Sequence, residues 1–245
     1  MTHAIAFERF TKRYGGHEVV SDLDFAVSSG TIVGLLGPNG AGKSTAMKGL
    51  VGLLRASSGR ATIKGRDFHE LRNPASVVGV HMDGFGFESG ITARRHVQLC
   101  ALAAGAPLSR VQRVLDEVDL APQAGLRVKH FSTGMRQRLG LAVALIGEPE
   151  VLVLDEPANG LDPEGVRWLR RFLRSYADAG GTVLVSSHQL AELAQSVDEV
   201  VVLRRRLLYA GRLEELLGSR SGSLEDRYFD LVEGHGGATD EGDGL

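Results

Sequence analysis

Thr31-Ile32-Val33-Gly34-Leu35-Leu36-Gly37-Pro38-Asn39-Gly40-Ala41-Gly42-Lys43-Ser44-Thr45 decides the fold. Thr31 to Leu36 is a short apolar run, long enough for a buried strand. Gly37 to Gly42 then breaks it with a glycine-rich loop. Helical character follows from Ser44 to Leu54. The loop fits G-x-x-x-x-G-K-[ST] in its required context, a strand before and a helix after. Glycines let backbone N–H groups approach phosphate oxygens with no Cβ in the way. The next helix points its positive end at the same anion. Lys43 is placed to bridge β- and γ-phosphates, and Ser44 to ligate Mg²⁺.

The other half of such a site stands at Val151-Leu152-Val153-Leu154-Asp155-Glu156. Four apolar residues read as a strand buried on both faces. Two carboxylates emerge at its C-terminal end, where α/β sheets bind ligands. Asp155 is placed to hold Mg²⁺ through water, and Glu156 to polarise the attacking water.

Around these, Ala4 to Phe10 and Val19 to Val27 alternate like half-buried antiparallel strands, with Tyr14-Gly15-Gly16-His17 as the turn between them. Arg60 to Lys64 and Val77 to His81 read as two more strands. From Ile91 to about Leu120 the pattern is helical, carried by Val97, Leu99, Leu102, Val111, Val114, Leu115 and Val118. Pro107 separates two helices, with Ser109 as N-cap of the second, and Ser132 caps a third running to about Ile146. Cys100 reads as core. A helix over Pro163 to Ala179, a strand at Thr182 to Val185, a helix over Leu190 to Ser196 and a strand at Glu199 to Leu203 alternate, which implies a parallel sheet.

Composition sets the limits. The chain has 245 residues, 43% apolar and 24% charged, within the soluble globular range. Its 28 Lys+Arg against 30 Asp+Glu give a net charge of −2 and no general pull toward nucleic acid. Arg170-Arg171-Arg174 and Arg204-Arg205-Arg206 read as solvated basic faces. A single cysteine excludes an intrachain disulfide and a four-thiolate metal site. No apolar run approaches a membrane span, and no signal-peptide core is present.

With these motifs in place, the chain resembles the ATP-binding subunit of an ABC transporter over nearly its whole length. Phe131-Ser132-Thr133-Gly134-Met135 stands where the family's Leu-Ser-Gly-Gly-Gln signature belongs, continued by Arg136-Gln137-Arg138. Gly160-Leu161-Asp162 matches the D-loop, His188 the switch histidine and Tyr14 the adenine-stacking aromatic. Asp83 falls at the usual Gln position. The resemblance implies an α/β fold: a phosphate-loop NTPase parallel-sheet core, an N-terminal antiparallel β subdomain and an inserted α-helical subdomain. It places the ATP-binding domain at 1–232 and the helical subdomain at about 84–148, while the Gly- and acid-rich composition of 233–245, with almost nothing to bury, reads as a disordered tail.

The implied nucleotide-binding set is Tyr14, Gly37, Pro38, Asn39, Gly40, Ala41, Gly42, Lys43, Ser44, Thr45, Ser132, Thr133, Gly134 and Asp162. The catalytic set is Glu156, His188 and Asp83, and the metal set Ser44, Asp155 and Asp83. Implied cofactors are ATP and Mg²⁺. Implied partners are a second copy, or a homologous ATPase subunit, paired head to tail, and an integral-membrane permease received near Asp83 to Ile91, with Phe85, Phe87 and Ile91 lining the cleft. No nucleic-acid partner is expected. The location implied is cytoplasmic, at the inner face of the cell membrane. Thr133 and Met135 depart from the signature, and the carboxylate of Asp83 resembles the antibiotic and drug exporter branch. The rival readings are a soluble ATPase of the same family with a non-transport task and a phosphate-loop kinase or GTPase switch. The signature and His188 speak against the latter.

Overall fold

The computed structural model describes residues 3–82, 86–218 and 223–234. In chain order it runs β1 (Ile5–Tyr14), β2 (His17–Val27), β3 (Ile32–Leu36), α1 (Lys43–Leu50), β4 (Ser58–Ile63), a short α2 (Pro74–Val77) and β5 (Val78–His81). Three helices follow: α3 (Ala93–Ala103), α4 (Ser109–Glu117) and α5 (Thr133–Ala144). The chain then returns through β6 (Val151–Leu154), α6 (Pro163–Asp178), β7 (Thr182–Ser186), α7 (Leu190–Leu193), β8 (Glu199–Arg204), β9 (Arg206–Arg212), α8 (Leu213–Leu217) and α9 (Leu224–Gly234).

Two sheets organise these elements. A three-stranded antiparallel sheet has the order β2-β1-β4, and a six-stranded sheet the order β5-β6-β7-β3-β8-β9. The second is parallel except for β9, which pairs antiparallel with β8. The continuous apolar runs have a direct cause. Ile32 and Leu36 of β3, with Leu152 and Leu154 of β6, belong to the core on one face of the parallel sheet. Val33 and Leu35, with Val151 and Val153, belong to the core on the other, against α1 and the antiparallel sheet. Successive side chains alternate sides, and both sides are covered. The second core includes stacked Phe7 and Phe25, whose ring centroids are 4.7 Å apart. Helices α3 to α5, packed on one another, form the lobe inserted between β5 and β6.

Several sequence expectations are corrected. Helix α1 stops at Leu50 rather than Leu54, because Gly52 takes a left-handed φ of 71°. Ser109 is the first residue of α4, not its cap, and its side chain accepts no capping bond. Leu99 and Leu102 are exposed and Cys100 is half-buried, so that side of α3 faces outward. The helix over Leu190 to Ser196 is shorter, ending at Leu193. Glu233 and Gly234, assigned to the tail, end α9, and the rest of that tail lies outside the described residues. No helix among the described residues is long and apolar enough to cross a membrane.

Candidate active site

The loop after β3 folds because its glycines occupy backbone space that other residues cannot. Gly42, immediately before α1, has φ 100°, and a Cβ there would run into the Val20 side chain. A Cβ on Gly37 would meet the Leu203 carbonyl oxygen at 2.5 Å. The loop is pinned from below by the β8–β9 turn: the Arg205 amide donates to Ala41 O (3.1 Å), and Arg205 O accepts from the Ser21 amide (2.7 Å). The Arg204-Arg205-Arg206 cluster is therefore a buttress beneath the loop as well as a basic surface. Arg204 also donates to Val232 O of α9 (2.6 Å). Arg174 is likewise engaged, with Asp198 at 2.9 Å and Ser196 O at 3.1 Å.

Lys43 opens α1 with its side chain folded back over the loop. Its Nζ donates to Gly37 O at 2.7 Å. Burial pushes its pKa below 10.5, opposed by the nearby charges of Glu156 and Asp155. A buried ammonium held by loop carbonyls is poised to exchange them for phosphate oxygens. Pro38 to Thr45 line one pocket together with Val19 of β2, Asp155 and Glu156. The structure thus brings the phosphate loop and the acidic strand end together.

Asp155 is buried and accepts from the Ser186 hydroxyl at 2.6 Å. The same hydroxyl accepts from the Glu156 amide at 2.9 Å. Ser186 ends β7, next to β6, so sheet pairing delivers it there. Sequence reading passed over Ser186, and only its adjacency to Ser187 and His188 marked it. Glu156 adopts φ 51°, a left-handed conformation that costs a residue with a Cβ of order 1 kcal/mol. Its carboxylate accepts from His188 Nδ1 at 2.8 Å and from the His188 amide at 3.3 Å.

The remaining predicted residues are distributed more widely. Ser132 caps α5, accepting from the Met135 amide at 3.2 Å. Ser132 and Thr133 are exposed and do not line the phosphate pocket. Gly134 lies beside the D-loop, where a Cβ would sit 3.4 Å from Leu161. Asp162 caps α6, accepting from the Gly165 amide at 2.7 Å. Tyr14, 51% exposed at the β1–β2 turn, has the Lys12 ammonium 4.8 Å from its ring centroid. Asp83 and Phe85 lie outside the described residues. Phe87 packs partly against the core and edge-on to His96 (5.4 Å). Nearby, His81 Nε2 lies 2.5 Å from Gln137 Oε1 of α5, a link that sequence reading missed.

Among the described residues no group of three or more His, Cys, Asp or Glu side chains could hold a metal unaided. One buried carboxylate, Asp155, and one hydroxyl, Ser44, beside a phosphate loop suit Mg²⁺, which completes its octahedron with phosphate oxygens and water.

A parallel sheet, a glycine loop opening a helix, and an acidic strand end beside it define a phosphate-loop nucleoside triphosphatase. The family model described as "ABC transporter" matches residues 20–159. The bacitracin transport ATP-binding protein BcrA of Enterococcus faecalis is 39% identical over 96% of this chain and 76% of its own. The lantibiotic transport ATP-binding protein SrtF of Streptococcus pyogenes is 32% identical over 88% and 96%. Among solved structures, an ATP-binding subunit of an ABC transporter superposes with TM-score 0.85 at 28% identity, covering 94% of this chain and 99% of that one. The chain belongs to the ABC transporter family, as an ATP-binding and ATP-hydrolysing subunit.

Proposed function

We propose that the chain powers a separate export permease by closing head to tail on a second copy, or a homologous subunit, with ATP between them. The observation that carries this reading is a division of labour. Pro38 to Thr45, Asp155, Glu156 and, through Glu156, His188 gather at one pocket. Ser132 and the N-terminus of α5 stand exposed elsewhere, with Ser132 tied only to its own helix. A hydroxyl and a helix N-terminus suited to a γ-phosphate are thus presented outward. Two chains related head to tail give each phosphate loop the group it lacks.

In this reading Lys43 and the loop amides bind the phosphates, Glu156 orients the attacking water, and His188 contacts the γ-phosphate. Mg²⁺, when bound, would neutralise phosphate charge. Ser44 and Asp155 hold it, and Ser186 fixes the Asp155 carboxylate. Tyr14 stacks on the base, and Asp83 links hydrolysis to the permease. The chain then works at the inner face of the cell membrane. The names of BcrA, SrtF and the daunorubicin resistance protein DrrA3 of Streptomyces coeruleorubidus, 36% identical, support an antibiotic-like cargo.

Ser132→Arg tests the reading. Binding of a fluorescent ATP analogue by the single chain is expected to stay at the wild-type level while turnover is lost. Loss of analogue binding would place Ser132 in its own chain's site and overturn the sandwich.

A further inference from the structure

We infer that Arg138 and Trp168 form a positioning clamp that holds the signature helix α5 against α6, so that Ser132 and the D-loop meet the partner's nucleotide as one rigid face. This rests on the sandwich reading above. The Arg138 guanidinium carbon lies 4.1 Å from the Trp168 ring centroid. Arg138 Nη1 also donates to Val118 O (3.2 Å) and to the Asp119 carboxylate (3.1 Å). One side chain thus joins α5, the end of α4 and α6. A planar guanidinium can stack and donate at once, which an ammonium cannot do as well.

The clamp has a footing. Trp168 stacks on Phe172 (5.7 Å, 18°), and Phe172 on Tyr176 (6.3 Å, 27°), down one face of α6. The Tyr176 hydroxyl donates to Pro149 O (2.6 Å), just before the acidic strand β6. At the front of α5, a Cβ on Gly160 of the D-loop would run into the Thr133 methyl. Helix α5 therefore touches the D-loop and α6 at two separated points, Thr133 and Arg138. Added to the seating of α5 on β5 at Gly140, these two points set the direction in which the front of the helix presents Ser132. Neither Arg138 nor Trp168 lines the phosphate pocket, so their effect on the chemistry passes through Ser132.

The experiment mixes defective chains. Arg138→Met and Trp168→Leu are each expected to bind a fluorescent ATP analogue as wild type does. Turnover should fall about tenfold, the scale of one cation–π contact. Trp168→Phe keeps a stacking ring and should retain most turnover. Mixed with Lys43→Ala, Arg138→Met should regain activity, because one site of the mixed pair joins an intact phosphate loop to an intact signature. Ser132→Arg mixed with Lys43→Ala is the reference. If the reference pair regains turnover and the Arg138→Met pair does not, the clamp is refuted and the sandwich stands. Wild-type turnover by Arg138→Met alone also refutes the clamp. If the reference pair stays inactive, both fall. If Arg138→Met and Trp168→Leu both lose analogue binding, the contact serves folding and positioning is refuted.

Discussion

The Ser186 hydroxyl donates to Asp155 and accepts from the Glu156 amide, so the two acidic residues are held by one small side chain inside the sheet. Ser186→Ala strands a buried carboxylate oxygen and a backbone N–H. Leaving such groups unpaired costs about 1–3 kcal/mol. Chemical denaturation should register that loss, and Mg²⁺-dependent nucleotide binding should weaken. In the proposed reading Lys43 is the loop's point charge for phosphate. Lys43→Ala should cost binding at least ~1.5–3 kcal/mol by analogue titration, with the fold intact by circular dichroism. Because burial lowers the Lys43 pKa, the free protein loses that proton below lysine's ordinary 10.5, whereas bound phosphate favours the charged form. Affinity should therefore fall as the pH rises into that alkaline range, and a flat pH profile in the titration would count against the assignment. At this scale the sequence was most legible where a motif fixes spacing, as from Gly37 to Ser44. Ser186 was illegible because its role comes from sheet pairing between residues about thirty positions apart, which no local pattern records.

Helix α5 is seated on β5 through a tight fit. A Cβ on Gly140 would run into the His81 imidazole, which is buried at the end of β5 and tied to Gln137. Gly140→Ala should cost about 1–3 kcal/mol by overpacking, read by thermal or chemical unfolding. Elements buried on both faces, such as β3, β6 and β7, were evident as unbroken apolar runs. Strand β9 was not. It is an edge strand paired only with β8, its residues partly or fully exposed, and Arg206 and Arg212 bound a run with little to bury. Helix α9 was missed for a similar reason, since Leu224 and Tyr228 are its only buried residues. The expected Ser109 cap failed because Leu108 already takes helical angles, leaving Ser109 inside the first turn. Ser132, with extended angles before α5, does cap its helix, and there the local signal and the tertiary structure agree.

At the scale of the whole molecule, the proposed function has ATP joining two chains that otherwise stay apart. In the proposed reading Glu156 faces the attacking water, and Glu156→Gln keeps its shape but removes most of its basicity. Hydrolysis should fall by roughly 10²–10⁴-fold, the usual contribution of a positioned general base. Lys43, Ser44 and the loop amides are untouched, so ATP still binds, and the closed pair has no fast exit. Size-exclusion chromatography of Glu156→Gln is therefore the most direct measurement. With ATP and Mg²⁺ the protein should elute as a dimer, with ADP as a monomer, and adding Ser132→Arg should abolish the dimer. Elution as a monomer with ATP and Mg²⁺ at high protein concentration would contradict the head-to-tail sandwich.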